Sequence, residues 1–150
     1  MNIMDFIQSI EVQIEDLIKL GKVGYVKGVT DLIMTNLKKL DIYKRPLHCS
    51  DAKRETMYIK NKDTWEKDNI QKERFRKVIK EISMINSRSL HLYKEKYPDC
   101  LEYHSKKGNE YDSIMIESLG GINKNVEPSQ DKIMRNISRM VLIPKDEDSL

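Results

Sequence analysis

Apolar residues open the chain at helical spacing, with Ile3, Phe6, Ile7, Ile10, Ile14, Leu17 and Ile18 separated by Glu11, Glu15 and Asp16. That rhythm predicts one amphipathic helix ended by Gly21. A second helix is expected after the turn spaced by Gly24 and Gly28, with Val29, Leu32, Ile33, Leu37 and Leu40 as its apolar stripe. Asp31 falls in its first turn, and Asp41 and Pro46 close it. From Leu47 the period changes. Thr56 to Ile59 favour strand, Asn61, Lys62 and Asp63 supply a turn, and Thr64 and Trp65 resume the run, which predicts a two-stranded hairpin.

Helical spacing then returns. Asp68 and Gln71 match a capping box opening a helix whose buried face is Phe75, Val78, Ile79, Ile82 and Ile85. Asn86 or Ser87 is expected to cap a helix carrying Leu90 and Tyr93, stopped by Pro98; Asp99 and Glu102 match a further capping box. Gly108 and Asn109 read as a turn. Tyr111, Ile114, Met115 and Leu119 predict a helix ended by Gly120 and Gly121, and Ile133, Ile137 and Met140 a last helix after Pro128. The acidic tail 145–150 is expected to be disordered.

These elements predict a mainly α fold with a small β-hairpin: a winged-helix-like N-terminal half followed by a helical C-terminal half. The expected organisation is one compact domain over 1–144, its basic hairpin spanning about 47–67. A chain of 150 residues buries roughly 68–70% of its unfolded surface, enough for a core without staples. With 39% hydrophobic and 34% charged residues, neither a disordered nor a fibrous composition applies. Two cysteines beside eight methionines suit a reducing compartment. The first twenty residues do not read as a signal or transit peptide, and no apolar run approaches a membrane span.

Charge is distributed unevenly. Residues 38–77 hold 13 Lys and Arg against 7 Asp and Glu, a difference of +6, so the total of +3 leaves −3 elsewhere. Helices followed by a basic hairpin suggest a positive finger projecting from a helical bundle and gripping phosphates, as a wing does. Arg45, Lys53, Arg54, Lys60 and Lys62 are the candidate nucleic-acid contacts, with Lys44 and Lys67 nearby. The plain alternative is that Asp51, Glu55, Asp63 and Glu66 neutralise them. Tyr58 and Trp65 would stack on bases if they faced outward, but a hairpin's aromatic residues more often pin it to the core.

Other chemistry is weaker. Cys100 and His104 would share one helical face as half of a zinc site, but adjacent His48 and Cys49 do not supply the other half, so no metal or other cofactor is assigned. His48, Cys49, Ser50 and Asp51 invite a nucleophile reading, yet strand neighbours point to opposite faces, and Ser50 and Asp51 fit a turn. The Ile3, Ile7, Ile10, Ile14 and Leu17 seam suggests a homodimer, though it is too short to outweigh packing on the chain's own core.

The block from Gly24 to Trp65, with RPLHCSD, KR and YIK followed by Trp65, resembles a domain found toward the C-terminus of uncharacterised proteins of mimivirus-like giant DNA viruses. The similarity extends weakly to MVLIPK. Larger members carry zinc-finger or coiled-coil segments ahead of this domain, and none is read in these residues. The resemblance implies a viral origin and work in the host cytoplasm, at a viral factory, or in the virion; it transfers no catalytic residue. The expectation is a non-enzymatic protein that binds nucleic acid, DNA ahead of RNA, or a nucleoprotein. The alternative is a protein-interaction or virion-structural module, dimeric or not.

Overall fold

A computed structural model describes residues 1–121 and 125–144. In chain order the elements are α1 (Ile3–Ser9), α2 (Ile14–Val23), α3 (Tyr25–Lys38), β1 (Leu47–Asp51), β2 (Thr56–Asn61), β3 (Thr64–Lys67), α4 (Glu73–Arg88), α5 (Leu90–Lys96), α6 (Lys106–Ser118) and α7 (Glu127–Met140). Short 3-10 turns lie at Ile42–Lys44 and Pro98–Leu101. The fold is mainly helical, with one antiparallel sheet of order β1-β2-β3 after the N-terminal helices. Helix α2 packs on α6 and α3 on α7, while the sheet rests on α1, α4 and α7. No helix of the described residues is long and apolar enough to cross a membrane.

The expected opening helix is two. Most of its stripe is buried, with Ile14 and Ile18 partly so, but Ile10 is extended and ends α1, and the Asp16 carboxylate accepts from Gln13 N–H at 2.8 Å to start α2 anew. Ile3, Phe6, Ile7, Ile10 and Leu17 all enter the chain's own core, so little of the seam is left for a second copy. Gly21 does not end the helix. It lies within α2, where an added Cβ would stand 2.9 Å from Ile114 Cγ1 and 3.3 Å from the Ile114 nitrogen, so its missing side chain lets α2 approach α6. The break falls at Gly24 (φ 91°), which joins α2 to α3; Asp31 therefore sits beyond the first turn of α3.

The predicted hairpin is β2 and β3, turning through Lys62 and Asp63, both in the left-handed region that such two-residue turns require. Asn2 holds this turn, accepting from Asp63 N–H at 2.8 Å and donating to Asp63 Oδ1 at 3.2 Å. Strand β1 was not predicted, although Leu47, His48 and Cys49 begin the alternation of buried and half-buried positions that marks it. Its other edge takes the chain after α7: Cys49 N–H donates to Val141 O and Ile143 N–H to Cys49 O, a parallel pairing.

The hairpin does not project as a free finger. Leu47, Cys49, Met57 and Ile59 are almost fully buried, so the inner face of β1 and β2 belongs to the core, while β3 stays largely exposed at the sheet's edge.

Asp68 caps α4 as expected, but from a distance. Its buried carboxylate accepts from the N–H groups of Asn69, Arg74 and Phe75, and the helix starts only at Glu73, so Gln71 completes no box. Helix α4 runs through Asn86 and Ser87 to Arg88, and Ser89 rather than either of them precedes α5. At α6 the cap is Ser105, which accepts from Gly108 N–H at 2.8 Å; Gly108 and Asn109 are helical, and Asp99 caps nothing there. Gly120 and Gly121 end α6 with positive φ, and α7 carries Ile133 and Ile137 inward. The tail expectation for 145–150 lies outside the described residues.

Candidate nucleic-acid interface

Because directly paired residues of neighbouring strands share a face, the burial of Leu47, Cys49, Met57 and Ile59 fixes what the opposite face presents. His48 pairs with Tyr58 and Tyr58 with Lys67; Lys60 pairs with Trp65. His48, Tyr58, Lys60, Trp65 and Lys67 therefore line the outer face. Lys53 and Arg54 are exposed in the β1–β2 turn, and Lys62 is exposed in the β2–β3 turn, so the predicted cations bracket this face at both ends of β2.

The carboxylates of the same segment are occupied elsewhere. Glu55 pairs with Lys72 and Glu66 with Arg74, while Asp63 bonds Asn2. Asp51 accepts the turn amides of Lys53 and Arg54 at 3.0 and 3.3 Å, and only the Arg54 guanidinium reaches it, at 3.7 Å. Among the described residues, no carboxylate lies within ion-pair distance of Lys53, Lys60, Lys62 or Lys67. The expected neutralisation by Asp51, Glu55, Asp63 and Glu66 thus reaches, of the predicted set, Arg54 alone.

Arg45 is placed differently. Its Nε donates to Leu37 O at 3.0 Å and Leu40 O at 3.2 Å, and Nη1 donates to Met140 O at 3.2 Å. The guanidinium joins the C-terminal ends of α3 and α7, where a cation also opposes the helix dipoles.

Trp65 stands outward, 38% exposed, rather than pinning the hairpin to the helices. The His48 imidazole stacks on its indole with centroids 4.2 Å apart and planes at 22°, and Tyr43 meets His48 edge-on at 6.5 Å. The Nε2 of His48 lies 3.0 Å from Ile42 O, so a neutral ring donates from that nitrogen. Burial depresses the His48 pKa, and the nearby Arg45 and Lys60 charges add to this against the opposing carbonyl bond. This row was missed because His48 meets Trp65 only when β1 and β3 are set on the same face across β2; the strand alternation from Leu47 was the available signal.

On acidification the unfolded chain protonates His48 first. Its contribution is full above the ordinary imidazole value of 6.5 and is lost as pH falls through the lower folded value. Urea midpoints measured at about pH 7.5 and about pH 5 should therefore fall further for the wild type than for His48→Phe. Equal falls would mean that His48 titrates freely in the folded chain.

Cys49, beside His48, faces the core with no exposure, and burial raises its thiol pKa, opposite to what a nucleophile needs. Cys100 lies in a 3-10 turn and His104 follows with φ 63°, so the two share no helical face. Among the described residues no three metal-binding side chains converge. Comparison of the chain with protein-family models, curated proteins and solved structures found no match in any of the three.

Proposed function

We propose that this protein binds nucleic acid, DNA ahead of RNA, through the outer face of its sheet, acting by binding rather than by catalysis. The observation that carries the proposal is the set of lysines on and around that face, Lys53, Lys60, Lys62 and Lys67, with their neighbouring carboxylates turned toward other partners. Bringing a polyanion to this surface breaks no ion pair of those lysines, and counterion release favours the complex. Arg54 joins them at the β1–β2 turn. Arg45 is left out, because its donors already serve backbone carbonyls.

The winged-helix analogy enters only through the β2–β3 hairpin, which would lie along the phosphates as a wing does. The setting proposed with it, a viral factory in the host cytoplasm or the virion, rests on the RPLHCSD, KR and YIK resemblance. The rival role as a protein-interaction module draws no support from α1, whose apolar stripe is packed inward.

Fluorescence anisotropy with labelled DNA and RNA tests the proposal. Binding should fall with salt, four or five phosphate contacts giving a log–log slope of about −3.6 to −4.5 on duplex and about −2.8 to −3.5 on single strands. Lys60→Glu/Lys62→Glu should weaken it by roughly tenfold or more while leaving the helical circular dichroism unchanged. Absence of binding at low salt by the folded wild type would end the proposal.

A further inference from the structure

We infer that the outer sheet face takes unpaired bases, so that the ligand is a single-stranded polynucleotide with one base stacked at Trp65. The inference deepens the nucleic-acid reading above and rests on it. Phosphate contacts alone need no aromatic surface, yet this sheet exposes Trp65 on its edge strand β3, stacked on His48 of β1 and paired across the strands with Lys60. Tyr58, paired with both His48 and Lys67, completes a face on which aromatic and cationic positions alternate. Trp65, His48, Tyr58 and Ile143 border a shallow depression of about 250 Å³.

The pattern distinguishes strands from duplexes. In a duplex the base faces are consumed by their own stack and only base edges reach the grooves, so an indole face has nothing flat to meet. A single strand offers every base face to an aromatic side chain while its phosphates run to flanking cations. Here His48 covers one face of the indole and holds the ring parallel to it, and Lys60 and Lys67 stand on the same surface for the phosphates.

Trp65 is the sole tryptophan of the chain, so its emission reports the site directly. Unlabelled oligo-dT, oligo-rU and a mixed-sequence duplex of equal length are titrated into the wild type, Trp65→Ala and Trp65→Phe, with anisotropy measured in parallel. Single strands should quench Trp65 and bind at least about tenfold more tightly than the duplex. Trp65→Ala should lose roughly ten- to a hundredfold in single-strand affinity, with duplex affinity unchanged and Trp65→Phe in between. The dT and rU arms separate a DNA strand from an RNA strand as the source of the bases. Equal binding of duplex and single strand, with emission unchanged by either, would overturn the inference while leaving the phosphate-binding surface standing. Loss of binding to all of them would remove both.

Discussion

Phe75→Ala should cost about 3–5 kcal/mol, the usual range for truncating a buried aromatic. Phe75 has no exposed surface and sits in the first turns of α4, with its N–H held by Asp68 Oδ2 at 2.9 Å. Truncation leaves a cavity in the core beside the start of α4. Against the 5–15 kcal/mol typical of a domain, such a loss leaves the fold marginal at physiological temperature. Urea unfolding should show a much lower midpoint with an unchanged slope, whereas Ile70→Ala, at a residue 93% exposed, should be neutral. A Phe75→Ala loss below about 1 kcal/mol would contradict its placement. The effect reaches the binding face, because the start of α4 carries Lys72 at its cap and Arg74 in its first turn, which pair with Glu55 and Glu66 beside the sheet lysines.

The second large effect is expected at Arg45. Arg45→Ala removes a half-buried charged donor from the carbonyls of Leu37, Leu40 and Met140 and should cost about 2–4 kcal/mol, since bonds from charged donors are worth about 1.5–3 kcal/mol and those near the surface regain some water. Arg45→Lys should recover only part, because an ammonium lacks the fork that spans two helix ends. Nucleic-acid affinity of the folded Arg45→Ala protein should match the wild type. A stable Arg45→Ala variant with weakened binding would return Arg45 to the phosphate contacts and remove its structural role.

Arg45 also shows where reading the chain fails. A cation beside a basic hairpin carries the same sequence signature whether it faces a phosphate or a helix end, and only the return of α7 to α3 after ninety-odd residues decides it. Helices with a clear stripe, such as Phe75 to Ile82 and Ile133 to Ile137, were legible because burial follows the 3.6-residue period. The break at Ile10 was not, because its side chain is buried in the extended link as it would be in a continuous helix, and the cap at Gln13 and Asp16 lies inside the apolar rhythm. The hairpin was read from its two-residue turn, while β1 was missed because it joins β2 through a longer turn at 52–55 with a register shift between Cys49 and Asp51, which carries no such turn signal. For the binding face, sequence supplied the cations, but it could not supply the destination of each carboxylate, which depends on α4 and Asn2.

The pairing of Cys49 with residues 141–143 has a further consequence for biogenesis. A ribosome releases β1 long before it releases the segment 141–143 that bonds Cys49 at β1's edge. During that interval the nascent chain offers an open ladder of amide and carbonyl groups, the surface on which strands of neighbouring polypeptides associate. Translation stalled before residue 141 should leave a species prone to aggregation, and chaperone demand should end only as residues 141–143 emerge.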